Sequence, residues 1–397
     1  MTCTWIDRPF SLLGAAALLA VGCLAQGCGD SGGGNADAGD ADVGSDADDS
    51  PIDGGPDGGS TTPPNDAQVE LDLGPEFGPV TGDTDFDSVT TGTPSAGVRC
   101  DNITYTSQGL TIAGQVCAPV EGDDHPILIV NHGLGAYKQS HAPEFAALGY
   151  AVFESAYRGE APSEGLKEYC AGEIYDVRRM IQIAKAQPNV DATRIGMIGY
   201  SHGGCVTMKT LLAETLADTT EFEAVVNVFG PADWGRTYGH LAQLGTYCEI
   251  LPNLTPCPTL ADLRRATGGA PAQAADAYNT RSPLFYADLL SDVTTPLLIL
   301  HATGDSIVPF QPNCELADGM GGFSAWHIDG FGSVAGAACP GANLTWGNGT
   351  APTTSYPAER TLFIYDTFNP LGHDESLGAG TNMQGRARAF LANKFAP

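Results

Sequence analysis

Short, predominantly apolar runs separated by helix-forming segments recur from residue 127 to the carboxyl end of this chain. Helices are predicted over Glu173–Gln187, about His202–Ala217 and about Gln384–Phe395. Runs of this kind, alternating with helices, are typical of parallel strands that are buried on both faces. The sequence therefore predicts an α/β fold, with a mostly parallel sheet covered by helices on both sides. The apolar runs are Ile127–Val130, Tyr150–Phe153, Arg194–Ile198, Ala224–Val228, Pro296–Leu300 and Thr361–Tyr365.

A β-hairpin is predicted ahead of this alternation, with Gln108 and Gly109 as its two-residue turn. Counting outward from that turn places Cys100 directly opposite Cys117. Residue pairs across an antiparallel hairpin alternate between hydrogen-bonded and non-hydrogen-bonded, and this alternation makes Cys100 and Cys117 a non-hydrogen-bonded pair. The Cα atoms of such a pair are the closer ones, and a disulfide can span them. The sequence therefore predicts a Cys100–Cys117 disulfide.

Eight of the 11 cysteines lie between residues 97 and 397. An even number without a CxxC motif favours disulfides over metal ligation in an exported chain. Proximity in sequence suggests pairing Cys248 with Cys257 and Cys314 with Cys339. Cys205 is interpreted as a buried helix residue, which would leave Cys170 free as well.

The amino-terminal segment, residues 1–28, has the features of an export signal. The apolar run Phe10–Leu24 has the length of a signal-peptide core and is short for a membrane span. Cys28 follows a glycine and precedes a polar stretch, as in the signal of a bacterial lipoprotein, where such a cysteine is acylated. A plain secretory signal remains the alternative, since Ala25 and Gln26 depart from the lipoprotein pattern.

Residues 29–96 are predicted to be a disordered linker, because they are rich in Gly, Asp, Ser and Pro and poor in large apolar residues. Their acidic repeats do not have the spacing of an EF-hand loop, so an extended, self-repelling spacer is expected. The folded domain is then predicted over residues 97–397. It contains 17 basic and 30 acidic residues, hence a formal net charge of −13. This charge argues against nucleic acid and anionic membrane surfaces as partners.

Two intervals break the alternation of strands and helices. Residues 231–290 are too long for a simple crossover and are predicted to form a helical cap over the carboxyl edge of the sheet. Residues 311–357 are rich in Gly and Asn, so an irregular surface insertion is expected there.

A G-x-S-x-G motif, Gly199-Tyr-Ser-His-Gly203, lies between an apolar strand and a helix. In this context the motif predicts a sharp turn that exposes Ser201 at the carboxyl edge of the sheet as a nucleophile. A serine hydroxyl needs an adjacent base, which needs an orienting carboxylate. Asp305 and His373 each follow a predicted strand, in the order Ser, Asp, His of this type of fold. The oxyanion would be bound by the N–H groups of Leu134 and His202.

The most specific stretch, DVRRMIQIAKAQPNVDATRIGMIGYSHGG, together with TTPLLILHATGDSIVP, resembles the α/β-hydrolase domain of the prolyl oligopeptidase and dienelactone hydrolase-like group. The resemblance extends from about residue 126 to residue 396 and assigns Ser201, Asp305 and His373 the nucleophile, acid and base roles. The chain departs from the group in reading HATGD where HG is usual. It also has a serine where dienelactone hydrolases have cysteine, and no β-propeller precedes the domain.

These observations predict an exported serine hydrolase that cleaves small-molecule or polymeric carboxylic esters through an acyl-enzyme. Peptidase or amidase activity is the nearest alternative, since the same three side chains would serve both. A non-catalytic binding module on the same fold is a third. No metal or other cofactor is expected, because the sequence has no CxxC, no HExxH and no phosphate-binding glycine loop.

Overall fold

The computed structural model describes residues 75–137, 141–245, 256–329, 333–366, 373–374 and 382–396. The predicted signal, the Cys28 site and most of the predicted linker lie outside these residues, and so does Cys248. The proposed Cys248–Cys257 pair is therefore not addressed. Within the described part of the chain, no helix combines the length and apolar character needed to cross a membrane.

Eleven strands form one sheet, in the order β1-β2-β3-β5-β4-β6-β7-β8-β11-β9-β10. The pairings among β1, β2, β3 and β5 are antiparallel, and those from β5 through β4 to β10 are parallel. The strands are β1 (Ser88–Thr90), β2 (Val98–Ser107), β3 (Leu110–Pro119), β4 (His125–Asn131), β5 (Ala151–Ser155), β6 (Val190–Tyr200), β7 (Ala224–Val228), β8 (Leu297–Ala302), β9 (Phe323–Ile328), β10 (Thr345–Trp346) and β11 (Arg360–Tyr365).

The helices predicted over Glu173–Gln187, about His202–Ala217 and about Gln384–Phe395 are present, and two short 3₁₀ segments lie at Pro75–Phe77 and Pro283–Tyr286. The helices are α1 (Ala142–Ala146), α2 (Gly172–Lys185), α3 (His202–Ala217), α4 (Trp234–Leu244), α5 (Pro256–Thr267), α6 (Ala275–Asn279), α7 (Ala287–Ser291), α8 (Gln311–Met320) and α9 (Met383–Lys394). Helices α4 to α7 lie in the interval that was predicted to form a cap.

The core consists of two clusters, one on each face of the sheet. In β4, Ile127 and Ile129 belong to one cluster, whereas Leu128 and Val130 belong to the other. Successive side chains of a strand point to opposite faces, so this strand is buried on both sides. Its run of four apolar residues is explained by that placement. The predicted α/β architecture with a mostly parallel sheet is thus confirmed.

The hairpin has the predicted register. Ser107 pairs with Leu110 across the Gln108-Gly109 turn, and Cys100 pairs with Cys117, with which it forms a disulfide. A second predicted disulfide, Cys314–Cys339, is also present.

The interpretation of Cys205 as an unpaired helix residue is wrong, because Cys170 and Cys205 form a disulfide. Cys205 lies in the first turns of α3, and Cys170 directly precedes the segment that begins α2. The two cysteines are 35 residues apart. Their proximity follows from packing of the two helices on the same face of the sheet, which no local pattern encodes.

The predicted linker boundary at residue 96 is also wrong, because residues 75–90 are packed on the domain. Arg178 donates to the carbonyl oxygens of Glu76 and Gly78, and Gln182 donates to that of Val80. Strand β1 extends the sheet by pairing with β2. The hydrogen bonds from α2 are made to backbone carbonyl oxygens of the segment, which requires no apolar side chains there, so its composition can resemble that of a linker.

The predicted irregular insertion begins with regular structure. Residues 311–320 form α8 and residues 323–328 form β9, which pairs in parallel with β11 inside the sheet. The strand was missed because its sequence, FSAWHI, mixes polar and apolar residues and follows two glycines. Those glycines, Gly321 and Gly322, both have positive φ and form the turn between helix and strand.

Lys209 of α3 is fully buried, and Glu76 from the amino-terminal segment neutralises it. The Lys209 ammonium lies 2.7 Å from Glu76 Oε1, 2.8 Å from the Cys170 carbonyl oxygen and 2.7 Å from that of Thr280. Burial lowers the pKa of Lys209, and the charge of Glu76 opposes that shift. Because Lys209 is on the helix that follows the nucleophile, this ion pair attaches the amino-terminal segment to the centre of the domain.

We expect Glu76→Ala to lower the free energy of unfolding by about 3–5 kcal/mol, because it leaves a buried ammonium without its counter-charge. Urea unfolding of the full-length chain measures the change. The exposed pair of Glu359 with Lys394 provides the control, and Glu359→Ala should cost less than about 1 kcal/mol. A loss at Glu76 no larger than at Glu359 would contradict the structural role assigned to residues 75–90.

Candidate active site

Ser201 lies in the turn between β6 and α3, with a φ of 52° and a ψ of −125°. A positive φ is strained for a residue other than glycine. The turn is closely packed: a Cβ on Gly199 would lie 2.1 Å from the Gly203 carbonyl oxygen, and one on Gly203 would lie 2.1 Å from that of Asn131. Both glycines of the motif are therefore needed for the serine to be held at the carboxyl end of β6.

His373 lies next to the serine. Its Nε2 is 2.8 Å from Ser201 Oγ, and its Nδ1 is 2.7 Å from Asp305 Oδ2. The imidazole packs against Phe229, with the ring centroids 4.3 Å apart. Three side chains that are distant in the sequence thus form one continuous hydrogen-bonded chain from hydroxyl to carboxylate.

Asp305 lies in the loop after β8 and is nearly buried. Its Oδ1 accepts hydrogen bonds from the backbone N–H groups of Ile307 and Val308, at 2.8 and 2.9 Å. Burial alone would raise the pKa of this carboxyl, but hydrogen bonds from His301 and His373 outweigh that effect and hold the pKa well below its ordinary value. The group is therefore a carboxylate at any pH at which the imidazole could act as a base.

The loop that contains Leu134 approaches the serine closely. A Cβ on Gly133 would lie 3.3 Å from Ser201 Cβ, and Gly135 has a φ of +68°. Leu134 and His202 both line the cavity into which Ser201 opens. The N–H of His202 belongs to the first turn of α3, where a helix supplies no acceptor for it. Both residues predicted to bind the oxyanion are thus beside the hydroxyl.

The cavity at Ser201 has a volume of about 380 Å³, and its wall is largely apolar. Helix α4 contributes Trp234, Thr237 and Leu241, and α5 contributes Thr259, so the predicted cap borders the site. Among the described residues, the lining includes no Asp, Glu, Lys or Arg. Burial lowers the pKa of His202 to about 3, so this lining imidazole is neutral. The described lining thus offers a substrate hydrogen-bonding groups but no carboxylate, ammonium or guanidinium.

Arg158, which could have bound a substrate carboxylate, is engaged elsewhere. Its guanidinium forms a salt bridge to Asp176 at 2.8 Å and to Glu168 at 3.2 Å. The principal partner of this arginine is the buried Asp176. Among the described residues there is also no cluster of three or more His, Cys, Asp or Glu side chains that could hold a metal ion.

Residues 137–321 match the model of the prolyl oligopeptidase family, peptidase S9. The chain carries a prolyl oligopeptidase-family domain. The matched residues include the strand, turn and helix around Ser201, as well as Asp305. The resemblance inferred from the motifs is therefore confirmed.

Curated relatives of this prolyl oligopeptidase-family domain carry two kinds of name. An "Uncharacterized peptidase YtmA" of Bacillus subtilis is 27% identical over 222 residues, which is 55% of this chain and 78% of that protein. A "Putative carboxymethylenebutenolidase" of Synechocystis is 26% identical over 144 residues, 32% of this chain and 58% of the relative. The names of the relatives that are similar to the domain thus include both a peptidase and a carboxymethylenebutenolidase.

Among solved structures, acetyl xylan esterase 1 from Thermoanaerobacterium sp. superposes with a TM-score of 0.51 at 14% identity. The match covers 79% of this chain and 89% of the esterase. At this level of identity the likeness concerns the fold alone, and it agrees with the α/β-hydrolase fold of the prolyl oligopeptidase-family domain. The domain is accordingly a hydrolase of the group that contains both esterases and peptidases.

A second imidazole, that of His301 at the end of β8, lies beside the acid. Its Nε2 lies 3.2 Å from Asp305 Oδ2 and 3.1 Å from the Val308 carbonyl oxygen. Its Nδ1 lies 2.9 Å from Asn313 Nδ2, which assigns the Nε2–H tautomer. His301 thus contacts the same carboxylate oxygen, Oδ2, as His373 does. The only signal in the sequence is its position four residues before Asp305, in the HATGD segment.

Proposed function

We propose that this protein is an exported serine hydrolase that cleaves carboxylic esters through an acyl-enzyme, with Ser201, His373 and Asp305 as nucleophile, base and acid. The observation that carries the proposal is the hydrogen-bonded chain from Ser201 Oγ through His373 to Asp305, with distances of 2.8 and 2.7 Å, at the rim of a cavity whose described lining has no Asp, Glu, Lys or Arg. These contacts meet the geometric requirement for activating a serine hydroxyl.

In the proposed reaction, His373 Nε2 takes the proton of Ser201 Oγ as the oxygen attacks the ester carbonyl. The N–H groups of Leu134 and His202 bind the oxyanion of the tetrahedral intermediate. The intermediate collapses to the acyl-enzyme, and the imidazolium gives its proton to the departing alcohol. A water molecule then repeats the sequence, which releases the acid and restores the serine. Asp305 remains ionised throughout and orients the imidazole.

The lining of the cavity favours esters over peptides with a free amino terminus. A peptidase that selects for a terminal ammonium or carboxylate needs a group of opposite charge in its binding site, because desolvating an unpaired charge is costly. The described lining has none, and its side chains include Leu134, Trp234, Leu241 and Ile307. An uncharged acyl or alcohol group matches this surface.

A series of p-nitrophenyl esters of increasing acyl length, measured beside aminoacyl and prolyl p-nitroanilides, tests the ester proposal. The full-length chain is expected to hydrolyse the esters. A neutral acyl group should be preferred over a matched one ending in a carboxylate by about 100-fold or more in kcat/KM, in line with the cost of burying an unpaired charge. Hydrolysis confined to the anilides would overturn the ester assignment and leave the serine mechanism in place.

Peptidase or amidase activity is the second candidate, and the observation that favours it is the match to the prolyl oligopeptidase family. The same hydrogen-bonded chain would attack an amide. A blocked peptide without charged ends is the amide substrate best suited to the cavity, so an acylated aminoacyl anilide belongs in the series. A non-catalytic binding module is the third candidate, and it predicts that no compound of the series is hydrolysed.

Export is proposed from the amino-terminal signal, and the three disulfides of the described residues support it, since disulfides persist in oxidising compartments. The exported protein would take one of two forms, a lipoprotein acylated at Cys28 or a secreted protein without a lipid. Metabolic labelling with a fatty acid in a bacterial host distinguishes the two forms, because Cys28→Ser abolishes labelling of a lipoprotein and has no effect on a secreted protein.

A further inference from the structure

The backbone next to Leu134 is held by a buried carboxylate. The Gly135 N–H donates to both oxygens of Glu160, at 2.9 and 3.0 Å. Glu160 is only 6% exposed, and the Lys167 ammonium lies 3.4 Å from its Oε1. A carboxylate that accepts a backbone N–H makes a charge-assisted hydrogen bond, which is stronger than a neutral one.

The segment that contains Glu160 contacts the other end of the same loop. The Tyr157 hydroxyl donates to the His132 carbonyl oxygen at 3.3 Å, and the two rings stack with their centroids 4.3 Å apart. Residues 157–160, which we call the clamp segment, therefore hold residues 132–135 at both ends.

The clamp segment is itself rigidly attached to the domain. The Arg158 backbone N–H and its guanidinium both bind the buried Asp176, at 2.8 to 3.1 Å. A Cβ on Gly159 would lie 2.0 Å from the Lys167 backbone nitrogen, so the chain is closely packed there as well. The clamp segment thus connects the loop at Leu134 to helix α2, which contains Asp176.

Leu134 needs such support because glycine lies on both sides of it. Gly133 and Gly135 have no Cβ to restrict their backbone angles. The peptide before Leu134, which presents the Leu134 N–H, is held within the loop, because the Gly133 carbonyl oxygen accepts the Ala136 N–H at 3.1 Å and lies 2.7 Å from His132 Nδ1. The peptide after Leu134 is held from outside the loop, by the bidentate contact of the Gly135 N–H with Glu160, and this contact limits rotation on the second side of Leu134.

We propose that Glu160 is a positioning residue for the oxyanion site: by fixing Gly135, its carboxylate directs the Leu134 N–H toward the oxygen that becomes negative at Ser201. The proposal rests on the proposed function, because it requires a tetrahedral intermediate at Ser201. Glu160 acts through the backbone and does not touch the substrate. Lys167 offsets its charge, which would otherwise disfavour a nearby oxyanion.

The test compares Glu160→Leu and Glu160→Gln in the full-length chain, with whichever ester or anilide the wild-type protein hydrolyses. We expect Glu160→Leu to lower kcat by about 10- to 100-fold, somewhat less than the loss of a whole oxyanion donor. KM should change by less than about threefold, because the interaction belongs to the transition state. Glu160→Gln retains an oxygen for the Gly135 N–H and should recover kcat to within about fivefold of wild type.

Binding of a boronic acid, which forms a tetrahedral adduct with the serine, provides a readout independent of turnover. Its affinity should fall in Glu160→Leu by the same factor as kcat. The control is Glu164→Gln, because Glu164 also accepts a backbone N–H, from Thr111 at 2.7 Å, but it is exposed and does not contact the loop at Leu134. This variant should keep kcat within twofold of wild type.

The outcomes separate the two proposals. If the wild-type chain hydrolyses neither esters nor anilides and does not bind the boronic acid, the proposed function is wrong and this inference fails with it. If the wild type is active but Glu160→Leu keeps its kcat within twofold, or changes KM alone, only the positioning role is wrong. A loss of kcat that Glu160→Gln does not recover, accompanied by a lower melting temperature in both variants, assigns Glu160 a purely structural role and also overturns the inference.

Discussion

Ser201→Ala should lower kcat by about 10⁵- to 10⁶-fold, the largest effect expected of any single substitution in this protein. Removing the nucleophile of a serine hydrolase leaves only the contribution of substrate binding and oxyanion stabilisation. Ser201 Oγ is the atom 2.8 Å from His373 Nε2, and a methyl group in its place cannot form an acyl-enzyme. Turnover of the best substrate in the ester and anilide series measures the loss.

Labelling by an organophosphonate probe gives a second measure of the same change, since the probe reacts with the activated hydroxyl. Ser201→Ala is expected to abolish labelling, while Ser291→Ala, at an exposed position in α7, should be labelled as the wild type is. Residual turnover within 100-fold of wild type, or persistent labelling of Ser201→Ala, would contradict the assignment of the nucleophile. If the wild-type protein hydrolyses no substrate, and Ser201→Ala binds a partner as tightly as the wild type does, the non-catalytic alternative is supported.

Asp305→Asn should lower kcat by about 10⁴-fold with little change in the fold. An amide in place of the carboxylate can present an N–H to His373 Nδ1, which leaves the proton on Nε2, and an imidazole in that state cannot accept the serine proton. His301 lies 3.2 Å from Asp305 Oδ2 and is not placed to orient His373 directly. Because asparagine has nearly the same size and shape as aspartate, this variant removes the negative charge of the acid without leaving a cavity in the buried site.

Steady-state kinetics with a small ester measure this loss, and circular dichroism verifies that the variant is folded. Asp191→Asn is the matched control, because Asp191 accepts hydrogen bonds from the Thr193 backbone and hydroxyl, away from the cavity at Ser201. It should retain kcat within twofold. A loss of less than about 30-fold in Asp305→Asn would show that another group orients the imidazole.

The depressed pKa of Asp305 has a consequence for pH dependence. The carboxylate is already ionised in the fold at pH values where an ordinary aspartate would be protonated. The stability that it contributes is thus fully present above the pKa of the unfolded chain and is lost as the pH falls through the lower pKa of the folded state. Because Asp305 does not titrate between about pH 5 and 9, any inflection of kcat/KM of the wild-type protein in that range is expected to come from another group, and steady-state kinetics across that range measure it.

The predictions that the structure confirms depend on short stretches of sequence. The register of the hairpin follows from a two-residue turn and a period of two, so Cys100 had to face Cys117. The turn at Ser201 follows from glycines that adjoin a strand and a helix within five residues. Asp305 and His373 were found because in this fold each comes after a strand, although the catalytic role of all three residues stays a prediction.

The predictions that were wrong depend on contacts between distant segments. Residues 75–90 are attached to α2 through hydrogen bonds to their backbone carbonyl oxygens, and composition alone does not distinguish such a segment from a linker. Strand β9 is a strand because β11 and β10 pair with it on either side, despite its mixed sequence. Cys170 meets Cys205 only after the sheet has brought α2 and α3 together.

By itself the sequence determined the class of fold, the hairpin and the position of the exposed serine, because these depend on side-chain periodicity and on backbone angles that a few neighbouring residues impose. The tertiary structure alone decided which side chains surround that serine, how deeply Lys209 is buried against Glu76, and that Glu160 supports the loop at Leu134. Such contacts join residues from 25 to more than 130 positions apart. Their distances depend on how the whole sheet and its helices pack, which no local pattern contains.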